Sequence, residues 1–129
     1  MSVRALAATA VTVVLALPPT PAAGADPDRG QGELLLTLSG SENTWIRGVR
    51  LQCPGPGGPH PHAAEACASL AAVHGRPDAL PRGDRPCPAE EEPVTATADG
   101  RWETADVHWK GTYPGACALD AATGSVFRF

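Results

Sequence analysis

The stretch "PVTATADGRWETADVHWKGTY", Pro93 to Tyr113, decides the fold. Val94-Thr95-Ala96-Thr97 alternates apolar and polar side chains, Asp99-Gly100 is a strong turn signal, and Trp102 to Trp109 runs outward again. This pattern predicts a β-hairpin turning at Asp99-Gly100.

Working outward, "ELLLTLSG" (Glu33–Gly40) is a short apolar run ending at Ser-Gly and reads as a strand. "WIRGVRLQC" (Trp45–Cys53) alternates Ile46, Val49 and Leu51 with Arg47, Arg50 and Gln52, and Gly48 breaks the period as a β-bulge would. "PHAAEACASLAAVHG" (Pro61–Gly75) is alanine-rich, with proline for the first turn and glycine for the C-terminal cap, so it predicts the main helix. Ala63, Cys67, Leu70 and Ala71 share its inward face. Beyond the hairpin, Cys117–Gly124 predicts a short helix, and "SVFRF" (Ser125–Phe129) a closing strand. Strands with one main helix and no βαβ alternation indicate an α+β fold, an antiparallel sheet with a helix on one face.

The N-terminus reads as a secretory signal peptide over residues 1–25. Arg4 precedes an uncharged apolar run, Ala5 to Leu17, and Ala23-Gly24-Ala25 suits cleavage after Ala25. The run is short of the roughly 20 residues a membrane span needs, so no membrane association is expected after cleavage. Residues 26–31 read as a flexible N-terminus. The formal net charge of -4 argues against a nucleic-acid partner, which needs a basic face.

Four cysteines, Cys53, Cys67, Cys87 and Cys117, in an exported chain indicate two disulfides. Spacing leaves three connectivities open. Sequential pairing is preferred, because nested or crossed bridges would tie the middle of the domain more tightly than its loops suggest.

Candidate chemistry is sparse. His60-x-His62 lies near Cys53 and Cys67, but no C-x-x-C pair accompanies it, and exposed loop histidines are the expectation rather than zinc. No metal or cofactor is expected. Ser39, Ser41, Ser69 and Ser125 lack a G-x-S-x-G setting. Glu90, Glu91 and Glu92 are adjacent, so alternate members point apart and form no facing acid–base pair. The chain is therefore not expected to be an enzyme. Arg82-Gly83-Asp84 matches an adhesion tripeptide, and it makes a plain turn equally well.

The remaining candidate is "CPAEEEPV", Cys87 to Val94. Pro88 and Pro93 each fix a backbone angle, and three carboxylates require exposure of Ala89 to Glu92. A short, exposed, extended loop pinned at both ends is what a protease cleft binds, and pre-organisation removes much of the ordering cost. An acidic loop with no partner is the competing reading of the same residues.

"LLTLSG", "RGVRLQC", "PGPGGPHP", "ACASLAAVHGRPDAL", "RGDRPCP", "PVTATADGRW" and "GSVFRF" together resemble the Streptomyces subtilisin inhibitor family of secreted serine protease inhibitors. The resemblance runs from about Glu33 to Phe129 and makes residues 32–129 a subtilisin-inhibitor-like domain. It implies a five-stranded antiparallel sheet with two helices, disulfides Cys53–Cys67 and Cys87–Cys117, and a homodimer packed through sheet faces. It also implies a substrate-like mechanism, with the reactive loop at Cys87, Pro88, Ala89, Glu90, Glu91 and Glu92 and Ala89–Glu90 as the reactive bond. Subtilisin-like or elastase-like serine proteases are the partners it implies.

Two positions depart from the family pattern. Ala89 stands where a larger side chain would fill the protease pocket, a loss of about 2 kcal/mol, or roughly thirtyfold in affinity. Gly115 stands where the family has an asparagine supporting the loop. These departures motivate an alternative, a secreted binding or scaffold protein that has lost inhibition. The acidic residues after the bond are expected to favour proteases with a basic rim.

Overall fold

A computed structural model describes residues 9–19, 27–55, 58–89 and 91–129. Four strands, β1 (Gly32–Gly40), β2 (Ile46–Cys53), β3 (Val94–Trp102) and β4 (Ala105–Tyr113), form one antiparallel sheet in the order β2-β1-β3-β4. Two helices, α1 (Ala63–Ala72) and α2 (Ala116–Thr123), complete the α+β architecture.

Alternation decides which face is buried. Leu34, Leu36 and Leu38 of β1 face inward, flanked in register by Leu51 and Val49 of β2 and by Ala98 and Ala96 of β3. Each leucine contributes roughly 1.5–3 kcal/mol by leaving water. Ala63, Ala66, Cys67 and Leu70 of α1 close the core, while Ala71, expected on that face, is exposed. Gly75 ends the α1 segment at φ +75°, and a Cβ there would overlap the Cβ and Cγ of buried Trp102. The opposite sheet face carries Thr37 and Thr97, joined hydroxyl to hydroxyl, and the Asp99–His108 pair at 3.1 Å.

Several sequence expectations are corrected. Gly48 is no bulge: Thr37 pairs with Gly48 in an uninterrupted ladder. The hairpin turns at Glu103-Thr104 rather than Asp99-Gly100, because β3 continues until Trp102 is only 1% exposed. Burying that indole outweighs the local turn preference of Asp-Gly. Gly100 is needed instead where β3 crosses β1, since a Cβ there would overlap the Glu33 carbonyl oxygen. Glu103 takes the turn at φ 54°, and its Oε1 accepts from Gly30 N–H at 3.2 Å.

The closing strand is absent, so the sheet has four strands among the described residues and not five. Gly124–Phe127 folds as a 3-10 turn against α1 and α2, with Val126 and Phe127 both buried. A strand would have sent those two side chains to opposite faces. His60 is likewise buried rather than exposed. Its Nε2 lies 2.8 Å from the Val126 carbonyl, and its Nδ1 accepts from His62 N–H at 3.0 Å. The Nε2–H tautomer satisfies both contacts, so the ring ties the 3-10 turn to the start of α1.

Residues 9–19 form neither helix nor strand, and the Ala25 cleavage position lies outside the described residues. No described helix is long and apolar enough to cross a membrane.

Candidate functional site

The connection from Pro81 to Ala89 is exposed throughout and has no regular structure. It is nevertheless held by hydrogen bonds and a disulfide that run to α2. Gly83 N–H donates to the Ala121 carbonyl at 2.7 Å. Arg85 Nη1 donates to Asp120 Oδ2 at 2.7 Å. Asp120 also receives Arg128 through Nε at 2.9 Å and Nη2 at 2.6 Å, so one carboxylate joins loop, helix and C-terminus. The Cys87–Cys117 disulfide follows, with Cα atoms 5.7 Å apart. The second bridge is Cys53–Cys67.

Further along the chain, Glu91 is half-buried, and its Oε2 accepts from the backbone N–H of Cys117 at 3.2 Å. A carboxylate at a helix N-terminus meets unpaired N–H groups and the positive end of the helix dipole. The three glutamates are therefore not equivalent, contrary to the expectation of uniform exposure. Glu92 faces solvent and Glu91 turns back onto α2, while Glu90 lies outside the described residues. Pro93 leads into β3, where Val94 is buried and pairs with both Gly40 and Tyr113.

Gly115 makes the Glu91 contact possible. Its backbone is extended, a conformation open to any residue, so the requirement is one of space. A Cβ at 115 would overlap both Oε2 and Cβ of Glu91. The position expected to hold a supporting asparagine is thus the slot into which the loop inserts its own carboxylate. α2 also has no side-chain cap of its own at that position. A helix opening on glycine, with a free glutamate a disulfide's reach away, was the available sequence signal. The Arg85–Asp120–Arg128 cluster had none, because its members lie far apart in the chain.

A groove of 610 Å³, lined by Glu91, Glu92, Val94, Leu119, Phe127 and Phe129 among others, opens beside the loop. Tyr113, at the end of β4, has its phenol pKa raised by burial, and the nearby Arg82 guanidinium opposes that shift. Among the described residues no group of three or more His, Cys, Asp or Glu side chains could hold a metal.

A family model described as subtilisin inhibitor-like matches residues 31–115. A subtilisin inhibitor of Streptomyces albogriseolus is 46% identical over 85 residues, spanning 64% of this chain and 59% of that relative, less than two thirds of its length. Subtilisin inhibitor-like protein 5 of Streptomyces fradiae is 43% identical over 103 residues, spanning 74% of this chain and 95% of the relative. Among solved structures, Streptomyces caespitosus sermetstatin, crystallised in complex with Bacillus licheniformis subtilisin, superposes with a TM-score of 0.60. It is 31% identical, and the match covers 76% of this chain and 98% of that one.

Proposed function

The chain belongs to the subtilisin inhibitor-like family, a family of protease inhibitors and not of enzymes, and from that premise we propose that it is a secreted inhibitor of subtilisin-like or elastase-like serine proteases. The loop Cys87–Glu92 enters the protease cleft as a substrate would, and the protease serine meets the Ala89–Glu90 bond. The observation that carries this reading is the double attachment of one exposed loop to Cys117, through its sulfur before the bond and its N–H after it. A loop so pre-organised loses little freedom on binding. Ala89 is exposed and small, which suits a shallow specificity pocket. A homodimer through the outer sheet face belongs to the same reading.

Titration of subtilisin-like, elastase-like and trypsin-like enzymes with the purified protein tests it. Stoichiometric inhibition of the first or second class, weakened by Ala89→Asp, is expected. Digestion at Ala89–Glu90 with no inhibition of any enzyme would contradict it. The scaffold alternative loses one of its two motives, because Gly115 is not an empty position but the seat of Glu91.

A further inference from the structure

We propose that Glu91 is the positioning residue that returns the cleaved loop to its intact form, a role that rests on the inhibitory reading above. Cys117 holds both flanks of the Ala89–Glu90 bond: its Sγ is bonded to Cys87, and its N–H binds the Glu91 carboxylate. When the protease serine attacks the Ala89 carbonyl, an Oγ–C bond forms and the C–N bond to Glu90 breaks. The serine proton passes through the protease histidine to the departing Glu90 amine. That amine belongs to the residue next to Glu91, so a Glu91 fixed on α2 keeps it beside the acyl group. Its return attack on the acyl carbonyl reforms the C–N bond and breaks the Oγ–C bond, and the amine proton returns through the protease histidine to the serine. Restricting the freedom of the released segment raises the effective concentration of the amine over that of competing water. Without the clamp the next attachment among the described residues is Val94, where β3 begins.

Gly115 is the other half of the device, since any side chain there overlaps Glu91.

The experiment incubates wild type, Glu91→Ala, Glu91→Gln and Gly115→Asn with catalytic subtilisin. It follows the ratio of cleaved to intact inhibitor to equilibrium from both directions, and the amide exchange of Cys117 without protease. Because the clamp persists after cleavage and restricts the freedom of the released segment, its loss predicts a shift toward cleaved form of about tenfold in Glu91→Ala. Glu91→Gln, which keeps an acceptor oxygen, recovers most of it, and Gly115→Asn, which evicts the carboxylate, moves with Glu91→Ala. Cys117 amide protection falls in the same two variants. A merely stabilising role would lower the thermal midpoint and leave the ratio unchanged, and that result overturns the proposal. Unchanged Cys117 exchange in Glu91→Ala overturns the clamp itself. Failure of the wild type to inhibit any protease strikes the inhibitory reading and its religation step, while the exchange measurement still decides the clamp.

Discussion

Gly115 and Glu91 occupy one space: a Cβ on Gly115 would overlap the Glu91 carboxylate that caps α2. At this position the supporting side chain comes from the loop rather than from residue 115. Gly115→Ala is expected to lower stability by about 1–3 kcal/mol, as overpacking does, read as a drop in the urea midpoint at unchanged slope. A neutral outcome would mean that Glu91 leaves without consequence.

Cys87–Cys117 closes a separation of 30 residues and Cys53–Cys67 one of 14. Replacing either pair by serine is expected to cost about 3 kcal/mol on the chain-entropy estimate. Their functional effects should part company. Loss of Cys87–Cys117 turns the protein into a substrate, whereas the Cys53–Cys67 variant still inhibits at temperatures where it is folded. Inhibition assays on both double variants, alongside thermal unfolding, check this.

On the proposed register, Ala89 would leave a broad protease pocket unfilled. Ala89→Met adds about three buried heavy groups and should strengthen binding to subtilisin by about 2 kcal/mol, close to thirtyfold in the inhibition constant. An enzyme with a small pocket should show no such gain. Inhibition constants for the two enzymes side by side provide the comparison.

Tyr113 is the only tyrosine in the chain, so its ionisation can be followed by near-ultraviolet absorbance. Burial raises its folded pKa above 10.0. The folded state then holds the phenol proton more tightly than the unfolded state does. The stability linked to this proton is complete below pH 10 and is lost as pH rises through the folded pKa. Tyr113→Phe should flatten that alkaline decline in urea midpoints, and an identical pH profile for the two proteins would refute the assignment.

Strand patterning was legible where one face is buried. The apolar run ending at Ser39-Gly40 and the alternation of Val94-Thr95-Ala96-Thr97 located β1 and β3 directly. The alanine run with Gly75 located α1. What misled was local chemistry overruled by burial. Asp99-Gly100 has turn residues, yet Trp102 draws the strand four positions further, and "SVFRF" has strand residues, yet Val126 and Phe127 are buried in a 3-10 turn. Composition made "CPAEEEPV" a uniform acidic run. It could not show that Glu91 meets Cys117, because that contact spans 26 residues and depends on the missing side chain at Gly115.

The central claim is that one bond, Ala89–Glu90, is presented to the protease and held there. Mass mapping of the protein after prolonged incubation with a subtilisin tests it most directly. The account predicts a single cut between Ala89 and Glu90, in a protein whose two halves stay joined by Cys87–Cys117 and which still inhibits. A cut elsewhere, or a cut at this bond accompanied by rapid further digestion and full recovery of protease activity, would contradict it.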